Sequence, residues 1–217
     1  MTRIVILGAG GHAREIANVV EACRDDGDPI DMLGFLDDKP ETHGCLVMGL
    51  PVLGPTEWLY QQNDTDLAVV AGIGDPAARR RAVGRATQAG ARFEILVHPT
   101  ATITPYVSLA PGVVITAGCV LTNNITIGRH THINRLTTVG HDCRVGSFVH
   151  LAPGVVLSGN VTIGDECYIG TKSCVIQGLT IGARTVVGAG AAVVHDIPGG
   201  VTAVGVPARI YQKRKAA

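Results

Sequence analysis

Residues 139–170 read VGHDCR VGSFVH LAPGVV LSGNVT IGDECY IG, and every block of six in this stretch begins with Val, Leu or Ile. The same period runs from Val97 to Val193, where seventeen consecutive sixth residues are Ile, Leu or Val without an insertion. A helix repeats every 3.6 residues and a strand every 2, so neither element explains a period of six. A coil with three flat sides explains it, because each side then points one branched residue inward and successive coils pair as strands. The sequence predicts a parallel β-helix in which residues three periods apart lie above one another.

Residues 1–96 have a different pattern, in which short apolar strands alternate with helical spacing. This alternation predicts a Rossmann-like α/β domain with a parallel sheet, and we place residues 97–217 in the β-helix domain with its short C-terminal tail. Asp75 resembles a helix N-cap and Pro76 a first helical residue; Thr56 is a second candidate N-cap. The predicted strands are Arg3–Leu7, Met32–Leu36, Asp66–Ala71 and Phe93–Val97, and the predicted helices are Ala13–Cys23 and Pro76–Ala89.

A glycine-rich loop, Gly8-Ala9-Gly10-Gly11-His12, follows the first predicted strand. Glycines let the backbone approach a phosphate, and the N-terminus of the following helix favours an anion. Asp37 lies at the end of the second strand, where an acid can bind a ribose hydroxyl. With about four strands instead of the six of a full dinucleotide fold, a mononucleotide is favoured over NAD. A plain tight turn between strand and helix is the alternative interpretation of the loop.

The composition excludes several classes of function. Lys plus Arg and Asp plus Glu are both 18, so the formal net charge is zero and nucleic acid is not an expected partner. No apolar run approaches the ~20 residues of a membrane span, and the N-terminus lacks a signal-peptide pattern. The six cysteines include no CxxC pair, so no zinc or redox motif is indicated. We therefore expect a cytoplasmic protein with no membrane partner and no metal.

Five short motifs occur in order along nearly the whole chain. They are Gly10-Gly11-His12, Phe35-Leu36-Asp37-Asp38, Gly72-Ile73-Gly74, Gly140-His141-Asp142-Cys143-Arg144-Val145-Gly146 and Gly205-Val206-Pro207-Ala208. Together they resemble the bacterial nucleotide-sugar acetyltransferases of the hexapeptide-repeat class, which include the PglD-type enzymes and perosamine N-acetyltransferase. The resemblance implies a left-handed β-helix that binds acetyl-CoA, an N-terminal domain that binds the nucleotide-sugar, and a homotrimer with active sites at subunit interfaces. It also implies N-acetylation of an amino sugar of the GDP-perosamine or UDP-4-amino-sugar type, without a metal.

The resemblance also implies roles for single residues. His141 matches the general base, and imidazole suits this role because its pKa lies near the working pH. Asp142 matches an acidic neighbour of that base; some relatives carry Glu there, so the reach of the shorter Asp is in question. Asn134 matches a residue near the acceptor sugar. Contacts to acetyl-CoA are implied for His150, Gly159, Thr171 and Ala189, and contacts to the nucleotide-sugar for Gly10, Gly11, His12, Asp37, Asp38 and Gly74.

The predicted stacking adds two columns of residues. Asn123, His141 and Gly159 form one column, and the glycine above the histidine leaves room for a thioester. His132 and His150 form another column and are expected to point outward from a flat side.

Three alternatives remain at the level of sequence. Sialic acid O-acetyltransferases share the glycine loop and the histidine. A zinc site of carbonic-anhydrase type needs three converging histidines, and no third histidine clearly joins His132 and His150. A non-catalytic scaffold is the last alternative. The basic tail at residues 212–215 is either solvated or close to the CoA phosphates.

Overall fold

The computed structural model describes residues 1–211, which form an α/β part followed by a parallel β-helix. The first sheet has the order β3-β4-β2-β1-β5. Its strands are β1 (Thr2–Leu7), β2 (Ile30–Leu36), β3 (Leu46–Val47), β4 (Leu50–Gly54) and β5 (Leu67–Ala71), and its helices are α1 (Gly11–Asp25) and α2 (Pro76–Gln88). Two 3₁₀ helices, Pro40–Thr42 and Thr56–Gln61, connect these elements. α1 buries Ala13, Ile16, Ala17 and Val20, the i, i+3, i+4, i+7 stripe of a helix that packs on one side.

Most predicted elements of this part form within two residues of their expected ends. Asp75 caps α2 by accepting a hydrogen bond from the Ala78 N–H at 2.7 Å. Thr56 is not a cap: it is the first residue of its 3₁₀ helix, and its hydroxyl donates to Asp38. The β3–β4 hairpin was not predicted, because its strands are short and its turn depends on the positive φ of Met48 and Gly49.

The fourth predicted strand, Phe93–Val97, is wrong as a member of the first sheet. Phe93 forms only an isolated bridge to Val69. Leu96–Val97 instead pairs with Val114–Ile115 and opens the β-helix. The chain therefore enters its repeat before the first sheet gains a sixth strand.

The β-helix has three flat faces, left-handed in its coiling as the resemblance implied. Face 1 consists of Leu96–Val97, Val114–Ile115, His132–Ile133, His150–Leu151, Tyr168–Ile169, Val186–Val187, Thr202–Val204 and the antiparallel Arg209–Ile210. Face 2 consists of Thr102–Ile103, Val120–Leu121, Thr138–Val139, Val156–Leu157, Cys174–Val175 and Ala192–Val193. Face 3 consists of Val107–Leu109, Ile125–Ile127, Arg144–Val145, Thr162–Ile163 and Thr180–Ile181. The chain visits the faces in the order 1, 2, 3, so three edges join them.

The interior of the β-helix contains the branched residues that the period of six selects. Ile133, Val139 and Val145, one from each face, are at most 3% exposed. Cys119, Cys143 and Cys167 are also buried inside, and each donates its S–H to a backbone carbonyl one coil further on. Packing thus accounts for these cysteines.

Helix α1 covers the start of face 1. Leu96 and Val114 belong to the same apolar cluster as the buried side of α1, and Cys23 donates to the Val97 carbonyl at 3.2 Å. His132 and His150 do point away from the interior of the β-helix, but this cover leaves them only 1% and 5% exposed. None of the helices in residues 1–211 is long and apolar enough to cross a membrane. The basic tail at 212–215 lies outside the described residues.

Candidate active site

A cavity of about 440 Å³ opens where β1, β2 and β5 end. Because parallel strands end at the same side of a sheet, the loops that follow them meet there. The cavity brings together six of the residues predicted to bind the nucleotide-sugar: Gly10, Gly11, His12, Asp37, Asp38 and Gly74. Asn134, predicted to lie near the acceptor sugar, lines a separate cavity beside Arg135. A Cβ at Gly10 would meet no protein atom within 4 Å, so packing does not require glycine there.

The two aspartates brace the walls of this cavity. Asp37 accepts from the Ala9 N–H at 2.9 Å and from the Lys39 N–H at 3.0 Å. Asp38 accepts from the backbone N–H and the hydroxyl of Thr56 and pairs with Arg85. Asp37 therefore holds the glycine loop, a role that the sequence did not reveal beside the predicted contact to a ribose.

His12, which lines the cavity, meets two histidines of face 1. His12, in the first turn of α1, places Nε2 2.9 Å from Nδ1 of His132, while its Nδ1 lies 3.3 Å from Glu15. The His150 ring centroid lies 5.4 Å from that of His12. The third histidine that the sequence did not supply is thus His12, brought to face 1 by the packing of the two parts of the chain.

Two neighbours fix the orientation of His150. Asn134, predicted to lie near the acceptor, places Nδ2 3.1 Å from Nε2 of His150. Tyr168, one coil further on, stacks on the His150 ring at 5.0 Å. Asn134 and His150, implied to contact acceptor and acetyl-CoA respectively, therefore lie together, although neither lines the cavity.

Burial makes this cluster neutral at pH 7. Desolvation lowers the pKa of His150 to about 3 and the pKa values of His12 and His132 below the ordinary value; the charge of Arg79 contributes to all three. One ring nitrogen from each histidine lies within 4.8 Å of the others, close enough to surround a metal ion. The same Arg79 charge opposes a cation there. Neutral imidazoles suit hydrogen bonding to a polar ligand.

Arg79 of α2 joins the cavity to the β-helix. Its side chain is fully buried, and burial lowers its pKa to about 9, so it remains charged at pH 7. The guanidinium donates to five carbonyls, those of Ile73, Gly74, His130, Phe148 and Val149, at 2.7–3.1 Å. No sequence pattern marks this residue, since Arg79, Arg80 and Arg81 are consecutive and only the fold distinguishes them.

The predicted base and its acidic neighbour form a hydrogen-bonded dyad. Nδ1 of His141 lies 2.7 Å from Oδ2 of Asp142, so the shorter acid does reach the imidazole. Their side chains are 63% and 40% exposed. Two hydrogen bonds lower the pKa of Asp142: the larger effect comes from Asn124 and the smaller from His141. The ionised carboxylate holds the Nδ1–H and leaves Nε2 of His141 free to accept a proton.

Gly159 lies against the His141 ring. A Cβ at Gly159 would stand 2.6 Å from both Cε1 and Nε2 of His141. The glycine was expected to make room for a thioester, but the first group that needs the space is the imidazole itself.

The predicted residues fall into two groups on one chain. His141, Asp142 and Gly159 lie on the edge between faces 2 and 3. The cavity of the N-terminal part and His150 lie at face 1. The remaining members, Asn134, Thr171 and Ala189, lie on the edge between faces 1 and 2. In a three-sided prism the first edge is opposite face 1, so a single chain does not bring the two groups together.

Comparisons with known proteins match both parts of the chain. Residues 3–86 match the PglD N-terminal domain, residues 92–175 the GMPPB C-terminal domain, and residues 160–194 the hexapeptide repeat of succinyl-transferase. GDP-perosamine N-acetyltransferase of Escherichia coli O157:H7 is 31% identical over 94% of both chains.

Solved structures match over nearly the full length. PerB from Caulobacter crescentus, in complex with CoA and GDP-perosamine, has a TM-score of 0.88 at 35% identity and covers 98% of both chains. The acetyltransferase domain of PglB from Neisseria gonorrhoeae, in complex with acetyl coenzyme A, has a TM-score of 0.87 at 33% identity; the match covers 96% of this chain and 98% of that one.

Proposed function

Because the chain belongs to the nucleotide-sugar N-acetyltransferases of the hexapeptide-repeat class, we propose that it transfers an acetyl group from acetyl-CoA to an amino group of a nucleotide-linked 4-amino sugar. The chain is an acetyltransferase, and acetyl-CoA is its co-substrate. The observation that carries the proposal is the His141–Asp142 dyad, a positioned base on a fold that otherwise offers a nucleotide cavity.

The reaction follows from the dyad as a direct transfer. The acceptor amine attacks the thioester carbonyl and loses a proton to Nε2 of His141. The carboxylate of Asp142 stabilises the imidazolium that forms, as in other acid–histidine pairs. The imidazolium then returns the proton to the departing CoA thiolate, while a backbone N–H holds the oxyanion. No covalent intermediate on the protein is needed.

The N-terminal cavity suits the nucleotide half of the acceptor. α1 begins at Gly11 with no side-chain cap and no acid in its first turn, so its free N–H groups and dipole are available to a diphosphate. The ring of His12 lines the same cavity, where it can contact the bound acceptor. GDP-perosamine, the ligand of the similar Caulobacter structure, has the diphosphate and the 4-amino group that this arrangement would bind.

The separation of the two groups supports a homotrimer with shared active sites. Face 2 exposes Val120 and Val156, and Leu136 and Ile176 lie exposed beside it. A neighbouring copy that covers these side chains would bring its own half of the site next to the His141 edge. Light scattering should give about three times 22.5 kDa. We place the enzyme in the cytoplasm.

The deciding experiment measures CoA release with matched 4-amino and 4-hydroxy nucleotide-sugars carrying UDP, GDP, dTDP or CMP. We expect turnover with an amino compound and a loss of at least ~10²-fold in kcat for His141→Asn, with acetyl-CoA still bound. Activity only on a hydroxy compound or on free sialic acid would show O-acetylation instead. Normal turnover by His141→Asn would refute the assignment of His141 as the general base.

A further inference from the structure

Asp142 carries a second hydrogen bond that the reaction above does not use. Its Oδ2 faces His141, and its Oδ1 accepts from Nδ2 of Asn124 at 2.5 Å. Asn124 lies one coil earlier at the same edge, since the strand residues that follow, Thr126 and Arg144, are paired in register. The three side chains therefore form a line from Asn124 through Asp142 to His141.

The backbone places both ends of this bond in the same conformation. Asn124 and Asp142 occupy equivalent edge positions with φ of 56° and 61°. Asn and Asp are the non-glycine residues that tolerate this left-handed conformation best. The repeat therefore sets the amide directly beneath the carboxylate, where its N–H meets the oxygen that the imidazole leaves unused.

The chemistry of the pair explains why an amide fits there. An exposed carboxylate alone would rotate among several rotamers, and holding it in one costs side-chain entropy. A hydrogen bond from Asn124 holds the carboxylate in place and leaves its charge unpaired. A lysine at the same position would neutralise that charge. Of the groups around Asp142, Asn124 makes the largest contribution to the lowered pKa of this carboxyl.

We propose that Asn124 is a positioning residue for His141 that acts through Asp142. The proposal rests on His141 being the base of the proposed reaction. In this role Asn124 holds the carboxylate that holds the imidazole.

The test compares two variants of Asn124 with a matched control. Asn124→Gly removes the side chain at a position where glycine keeps the backbone geometry, and Asn124→Asp keeps the shape but replaces the donor with a repelling carboxylate. The control is Asn160→Gly. Asn160 has φ of 59° at the equivalent position one coil after Asp142, and among the residues described its side chain makes no hydrogen bond to Asp142.

Both Asn124 variants should lower kcat about 10-fold and leave both KM values unchanged, since a small misplacement of a base acts on the reaction step. Asn160→Gly should keep kcat. In an Asp142→Ala background, Asn124→Gly should have no further effect, because the residue acts only through that carboxylate.

Three results would overturn the proposal: normal kcat in folded Asn124→Gly or Asn124→Asp, a KM effect alone, or an equal loss with and without Asp142. Thermal unfolding of each variant separates misfolding from mispositioning. If His141→Asn abolishes turnover while Asn124→Gly does not change it, only the positioning role fails. If His141→Asn is fully active, the proposed function fails as well.

Discussion

The imidazole of His141 packs on Gly159 one coil further on. A Cβ added at Gly159 would lie only 2.6 Å from Nε2 of the histidine. A real Cβ does not approach that closely, so any side chain at Gly159 moves the ring. Gly159 therefore determines where the ring of His141, the proposed base, can stand, in addition to its proposed contact with CoA.

Gly159→Ala should lower kcat at least about 10-fold by displacing the base. Its φ is not in the left-handed region, so the backbone tolerates alanine and the fold should persist. Steady-state CoA release and circular dichroism together check this. Gly84→Ala in α2 is the matched control: its Cβ meets nothing within 4 Å, and it should keep full activity. Unchanged kcat in Gly159→Ala would show that the ring has another place to go.

Arg79→Met should destabilise the protein by about 3 kcal/mol, because it leaves buried carbonyls without their donor. Arg80→Met is the natural comparison. The side chain of Arg80, next to Arg79 on the same helix, is 57% exposed and makes an ion pair with Glu166 at 3.0 Å. That exposed pair should be worth less than about 1 kcal/mol. Urea unfolding monitored by circular dichroism measures both. Equal losses would show that the guanidinium does not lock the cavity to the β-helix.

The repeat was predictable because each coil of the β-helix is specified by its own six-residue blocks. Position in the period sufficed to place Val139 and Val145 inside and His141 on an edge. The reach of Asp142 could not be predicted in this way, since it depends on the left-handed φ at Asp142 and on Asn124 in the previous coil.

The histidine cluster was beyond sequence reasoning for a different reason. His132 and His150 are separated from His12 by more than a hundred residues, and their burial depends on how α1 packs against face 1. Local patterns carry no information about that packing. Arg79 was missed because the two residues that follow it, Arg80 and Arg81, are also arginines.

Asp37→Ala should raise KM for the nucleotide-sugar about 10-fold and spare KM for acetyl-CoA. The carboxylate accepts hydrogen bonds from the Ala9 and Lys39 N–H groups, and its loss frees the loop that is proposed to face the diphosphate. A hydrogen bond to a charged group is worth about 1.5–3 kcal/mol, enough for at least a tenfold effect. Asp25→Ala at the end of α1 serves as control. An equal change in both KM values, or no change, would restrict Asp37 to a structural role.

Stability should fall as the pH drops below about 6.5. Burial is the main cause that lowers the pKa of His130 to about 4 and that of His150 to about 3, whereas histidines in the unfolded chain titrate near ~6.5. Between these values the unfolded chain binds protons that the folded chain does not, so acid favours unfolding. The contribution of these two neutral histidines to stability is complete above about pH 6.5. It is lost progressively as the pH falls towards their pKa values in the folded protein.

His130→Phe should flatten this dependence, because the ring lies between Phe93 and Phe148 and a phenyl group cannot bind a proton. Phe148→Leu should lower stability at every pH while keeping the slope. Free energies of unfolding from pH 4 to 8 give the comparison. Parallel curves for His130→Phe and the wild type would contradict a buried neutral His130.

Shared active sites predict that two inactive variants restore one another. His141→Asn removes the base. Gly10→Asp places a carboxylate where the diphosphate is expected; it keeps the fold, because a Cβ there meets no protein atom and Asp is a good N-cap for α1. In a cyclic trimer each site takes His141 from one chain and the cavity from the next. A mixed trimer has two chains of one variant and one of the other, so one of its three sites combines an intact base with an intact cavity, and about one third of the sites are complete. Co-expression with two different tags and purification of mixed trimers should recover about that fraction of wild-type kcat, while each variant alone stays inactive. Mixed trimers without activity would place both halves of the site on one chain, against the separation of the His141 edge from face 1.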